Sequence, residues 1–182
     1  RHTRLQGDWS SDVCSSDLQV HIGIAYDAPR EPDPQSILQR AATAVLSGGM
    51  SGRLFTEVRE KRGLCYSVYA TYAGGKHRGA VLSYVGTTVP RAQETLDVLT
   101  GELRRLSDGI EADEFARAIV GMKSRLVMQG ESTNARAHAI AQDQYVFGRP
   151  RTLQERRDQV DALTVEAVRK YVAEQDRKST RL

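Results

Sequence analysis

The sequence predicts an α+β fold in which helices cover one face of a sheet. Three observations carry that expectation. Apolar residues alternate in "QVHIGIAY", two more strand-like runs bracket the turn "AGGKHR", and helical apolar spacing sets in from Pro90 onward. Strands come first and helices later, without the regular alternation of a parallel α/β sheet.

Along the chain, Val20, Ile22 and Ile24 share one strand face, and the strand ends at "DAPREPDP", whose prolines forbid continuation. A helix follows in "SILQRAATAVLSGG", with Ile37, Ala41, Ala44 and Val45 as its apolar stripe; Gly48 or Gly49 supplies a left-handed cap. "SGRLFTEVREKRG" reads as a second, shorter helix with Ser51 as N-cap and Gly63 as its stop. "LCYSVYATY" and "GAVLSYVGT" then form a hairpin whose connection Gly74 and Gly75 permit. In the helical part, Leu96, Leu99, Leu103 and Leu106 make one apolar face, and Phe115, Ile119, Met122 and Leu126 make another. A third helix covers "NARAHAIAQDQYVFG", and a last one starts at Thr164 and carries Val165, Val168 and Val172.

Both ends of the chain stand apart from this pattern. Written with suitable codons and followed by a C, "DVCSSD" near the start has a reverse complement that encodes "DRKSTR" and the first base of a leucine codon, matching the "DRKSTRL" that ends the chain. Residues 1–18 and 176–182 therefore read as translated sequencing-adapter scars, which leaves residues 19–175 as one domain. The chain has 26 Lys and Arg against 23 Asp and Glu. So even a balance argues against a nucleic-acid partner or a membrane surface. No run approaches the ~18 apolar residues of a membrane span. Cys65 is the one cysteine outside the tails, which excludes an internal disulfide there and suits a reducing compartment.

The chemistry of a self-contained site is absent from the pattern. His21, His77 and His138 are widely separated, and none lies in a zinc-binding histidine motif, so the chain is expected to bind no metal. "SGGMSGR" lacks the Lys-Ser/Thr ending of a phosphate loop. Cys65 and Ser67 have no recognisable base partner. Glu57 and Glu60 lie where Lys61 and Arg53 offer simple ion-pair partners.

One stretch is different. "LSGGMSGRLFTEVREKRGLCYSVYA", followed much later by "GESTNARAHAIAQDQYVFGRP", resembles the second, non-zinc half-domain of the M16 metallopeptidases. That group includes pitrilysin, insulin-degrading enzyme and mitochondrial processing peptidase, and the likeness runs through residues 19–175. The resemblance implies a mainly antiparallel sheet with helices on one face, here cut off at its N-terminal edge. It further implies a shell of two such halves around a peptide chamber. Zinc is held by the other half, in the same chain or a separate subunit, and an unfolded peptide is the substrate. The second half lends an Arg and a Tyr seven residues apart, and Arg59 and Tyr66 occupy those places. Gly48, Gly49 and Ser51 match a glycine-rich segment that touches substrate in the processing peptidases. The compartment stays open between bacterial cytoplasm and periplasm.

The chemistry of that loan is sound. Attack on a peptide carbonyl collects negative charge on its oxygen, and a donor aimed at that point absorbs it. A tyrosine hydroxyl donates without carrying charge, and a guanidinium offers a planar fork. Lacking a zinc motif, the chain is expected to cleave nothing by itself. The competing expectations are a pseudo-peptidase acting as a structural subunit, as in a respiratory complex, and an unrelated α+β binding domain.

Overall fold

The structure, a computed structural model, describes residues 19–179. The tail assignments at residues 1–18 and 180–182 lie outside the described residues. Alternation produces three strands, β1 (Gln19–Ala28), β2 (Cys65–Gly74) and β3 (Gly79–Thr88), in one antiparallel sheet of order β1-β3-β2. The register sets Ile22 and Val68 on either side of Val85, which is fully buried. The opposite face carries the cross-strand rows His21, Gly86, Ser67 and Gly23, Tyr84, Tyr69. Among the described residues no helix covers those rows, and Tyr69 is 46% exposed.

Helix α1 (Ser36–Ser47) is buried over most of its circumference, from Gln39 through Leu46, and so reads as a central rather than a surface helix. It lies against β2 with α2 (Ala92–Asp108) beside it on the sheet, and α6 (Val165–Ser179) closes over both. α3 (Ala112–Glu131) packs on α1 and supports α4 (Thr133–Phe147) and α5 (Leu153–Asp161). The result is the α+β, helices-on-one-face layer that the pattern predicts. Among the described residues no helix is long and apolar enough to cross a membrane.

Several local expectations change. Gly49 takes the positive φ of 119°, whereas Gly48 is needed for space: a Cβ there would lie 2.3 Å from the Ala44 carbonyl oxygen. Ser51 caps no helix with its side chain. It sits in an exposed turn closed by Gly52 N–H donating to Gly49 O at 3.1 Å, and the Gly52 carbonyl opens the next helical turn by accepting from Thr56 N–H. On α2 the buried stripe is Thr95, Leu99, Glu102 and Leu106, rotated from the all-leucine face; Thr95 is drawn inward by hydrogen bonding to Thr87 Oγ1 at 3.1 Å. α5 escaped the apolar periodicity because it is mostly polar. Its start is fixed instead by a capping box, in which Thr152 Oγ1 accepts from Glu155 N–H and Glu155 accepts from Thr152 N–H. Arg53 pairs with Glu114 at 2.7 Å rather than with a carboxylate on its own helix; Glu57 takes Lys61 and Arg62.

The α4–α5 corner is tied down by Asp143, which is 1% exposed. It accepts from Arg151 at 2.9 Å, from Arg156 at 2.7 Å and from the Arg151 backbone N–H at 2.9 Å. Burial pushes its carboxyl up, but the two arginines outweigh that and hold it below the ordinary aspartate range. A depressed folded-state pKa stabilises above the unfolded value of about 3.9 and ceases to do so as pH falls through the folded value. Asp143→Asn is therefore expected to cost about 3–5 kcal/mol at pH 7, the scale of a broken buried pair. Urea unfolding followed by circular dichroism should show the gap to wild type closing below about pH 4. A second test concerns Gly63, whose φ of 59° lies in the left-handed region, with no atom nearer than 3.9 Å to a built Cβ. Gly63→Ala should cost about 1–2 kcal/mol from backbone conformation alone, read as a lowered urea midpoint.

Candidate functional site

The site begins with the segment after the glycine turn. Arg53 and Leu54 start a helical turn that widens to i→i+5 geometry over Phe55–Glu60, with Lys61 N–H donating to Thr56 O at 2.9 Å. Leu54 and Val58 are fully buried and face the core. Arg59, next in sequence to Val58, points outward. Widened turns of this kind often occur at functional positions because they rotate side chains out of the ordinary helical register.

From Glu60 the chain reaches β2 through a closely held joint. Gly63 N–H donates to Arg59 O at 3.0 Å and Leu64 N–H to Val58 O at 3.0 Å. The Arg91 guanidinium donates to Gly63 O. Thr87 on β3 donates to Leu64 O at 2.6 Å, tying the joint to the sheet. Immediately beyond it, Cys65 pairs with Thr87 and Ser67 with Gly86, so Tyr66 is the extra residue of a β-bulge. Bulges re-aim side chains. Tyr66 is 82% exposed.

The outcome is that Arg59 and Tyr66, named from the family resemblance, are brought together. The Arg59 guanidinium carbon lies 5.5 Å from the Tyr66 ring centroid and 4.9 Å from that of Phe55. Both distances fall within cation–π range. Among the described residues Arg59 makes no ion pair, and the Tyr66 hydroxyl has no hydrogen-bond partner. Phe55 was not singled out in the sequence; its position four residues before Arg59 was the available signal. Burial pushes the Cys65 thiol up, and the nearby Arg59 only partly opposes that.

The remaining named residues form a separate feature. Gly48, Gly49 and Ser51 belong to the turn after α1, beside Met50, which is 79% exposed. A cleft of about 1180 Å³ opens between α1, the far end of β2, α3 and α4, and neither Arg59 nor Tyr66 lines it. Among the described residues no three His, Cys, Asp or Glu side chains are grouped to hold a metal ion. His21 instead shares a 2.7 Å hydrogen bond with the Tyr84 hydroxyl on the open sheet face.

With this geometry in hand, comparison with known proteins is informative. Residues 9–122 match the family described as "Peptidase M16 inactive domain". An uncharacterized zinc protease of Bacillus subtilis is 34% identical over 125 residues, covering 68% of this chain and 31% of the relative. The chain thus spans about a third of the length of the curated relatives it matches. The crystal structure of a peptidase M16 inactive domain from Pseudomonas fluorescens superposes with a TM-score of 0.69 at 26% identity, covering 86% of this chain and 38% of that one. A chain of complex III2 from Candida albicans shares the fold with a TM-score of 0.76 at 21% identity, covering 85% of this chain and 39% of that one. The chain belongs to the peptidase M16 inactive-domain family.

Proposed function

We propose that this chain is the non-zinc half of a zinc-dependent endopeptidase, lending Arg59 and Tyr66 to the reaction centre and its open sheet face to one wall of the substrate chamber. The observation that carries the reading is the pair itself. A guanidinium with no carboxylate partner among the described residues lies within cation–π distance of Phe55 and of the exposed phenol of Tyr66. Surface arginines serving only stability usually find a carboxylate or none; this one is oriented by Phe55 and by a bulge that turns Tyr66 toward it. The relatives named as zinc proteases support the same reading.

The zinc belongs to the partner half, where it supplies Lewis acidity and lowers the pKa of water. The work of this chain is positioning and charge stabilisation. Tyr66 donates its hydroxyl proton in a hydrogen bond to the carbonyl oxygen on which charge grows, and Arg59 holds either that oxygen or a neighbouring peptide carbonyl. The aromatic contacts and the bulge place the guanidinium and the phenol side by side before substrate arrives. On the open face, Tyr69, Tyr84 and His21 offer an aromatic surface to an extended peptide. The turn at Gly48, Gly49 and Ser51 presents backbone groups to the same substrate. The partner is a zinc-bearing M16 half, in the same polypeptide or another, and the substrate is an unfolded peptide.

A second reading, a structural subunit without catalytic role, is favoured by the fold shared with a chain of complex III2. It gives no reason for an exposed and unpaired guanidinium beside two aromatic rings. In the assembly with the zinc-bearing half, Tyr66→Phe is expected to lower turnover by about one to three powers of ten with the fold intact, the scale for one lost oxyanion donor. Unchanged turnover in that variant removes Tyr66 from the mechanism. The isolated chain, assayed with added zinc, is expected to hydrolyse no peptide.

A further inference from the structure

The Arg53 side chain is 4% exposed, yet each of its three nitrogens donates a hydrogen bond. Its Nε donates to Glu114 Oε1 and its Nη2 to Glu114 Oε2, both at 2.7 Å, a forked pair. Nη2 also donates to the Gly109 carbonyl at 2.6 Å, and Nη1 to the Arg105 carbonyl at 3.3 Å. These carbonyls are the loose ends of α2, where the last turn has no intrahelical donors of its own. Glu114 closes the capping box at the start of α3 by accepting from Glu111 N–H at 3.0 Å. One guanidinium thus joins the end of α2, the start of α3 and the first residue of the segment that bears Arg59.

The placement is more specific than stability requires. Arg53 lies six residues before Arg59, roughly 9 Å along a helical axis, and between them Leu54 and Val58 are buried on the same side. Apolar packing of Leu54 and Val58 fixes depth, and the Gly63 and Leu64 amides hold the C-terminal end of the segment, so rotation of its N-terminal end is left to directional bonds at Arg53. A planar fork bound to a carboxylate and two carbonyls does fix rotation. The rotation decides whether Arg59 sits over Tyr66 or swings away, since Tyr66 is held independently by the bulge on β2.

We propose that Arg53, clamped by Glu114, is a positioning residue that sets the rotation of the widened turn and thereby aligns Arg59 with Tyr66. This rests on the reading of Arg59 and Tyr66 as substrate-contacting groups. Lysine at this position keeps the charge but loses the fork.

The test uses Arg53→Lys in the assembly with the zinc-bearing half, assayed well below its melting temperature. kcat should fall roughly 10- to 100-fold, the scale of a small misplacement of reacting groups, with KM changed far less. In a Tyr66→Phe background the same substitution should add little, because the two act as a unit. Hydrogen exchange on the same variant should show protection lost over residues 59–66 before it is lost in α6. Glu114→Gln, which keeps the shape of the clamp and loses its charge, should give a weaker version of every effect. A lowered melting temperature with wild-type kcat, a full multiplicative loss in the Tyr66→Phe background, or loss of protection spread evenly over the chain each overturns the proposal. If Tyr66→Phe alone leaves turnover unchanged, the catalytic reading fails, and hydrogen exchange still decides whether Arg53 governs the local geometry.

Discussion

Between Glu60, the last residue of the widened turn, and Cys65, the first of β2, four residues carry the chain from helix to sheet. Their backbone groups are taken up from both sides. Leu64 donates to Val58 and accepts from Thr87, Gly63 donates to Arg59 and accepts from Arg91, and Thr87 is in turn bonded to Thr95 on α2. Because Leu64 and Thr87 are buried, losing one of these bonds leaves a group that water cannot satisfy. This joint fixes the distance between a helical side chain and a strand side chain that would otherwise belong to separate elements. The seven-residue spacing of Arg59 and Tyr66 has physical meaning only because the joint is rigid.

Much of the layer was legible in the sequence because burial imposes period on it. The alternation in β1 corresponds to a half-buried face and the helical spacing of α1, α3 and α6 to buried or half-buried ones, and Thr164 caps α6 through Ala167 N–H at 3.2 Å as its position implies. The spacing of Arg59 and Tyr66 was legible too, but only as a pattern; the bulge that exposes Tyr66 depends on how β2 registers with β3. Arg53 illustrates the limit. Its partner Glu114 is 61 residues away, so local charge pattern pointed to neighbours on its own helix. α5 was missed for a different reason: an exposed polar helix has little apolar period, although the T-x-x-E signature at Thr152 and Glu155 was present. The turn at Gly48 and Gly49 combines two causes, close backbone approach and positive φ, which composition alone cannot separate.

The electrostatics of the pair fit a half-site. Arg59 and Tyr66 are exposed here, and a cation in water gains little from an aromatic face. Closure of a second surface over them would exclude water, and the same guanidinium and hydroxyl would act on a carbonyl oxygen in a medium of much lower dielectric. That change in surroundings requires no movement of the pair. Among the described residues Arg59 has no carboxylate partner, which under the proposed role leaves its charge free to act on substrate.

The most direct test is a crystal structure of this chain together with its zinc-bearing half and an uncleaved peptide in the chamber. The account predicts the Tyr66 hydroxyl or the Arg59 guanidinium at hydrogen-bond distance, about 3 Å, from the carbonyl oxygen that faces the metal. A peptide seated at the metal with both side chains turned to bulk solvent would contradict it.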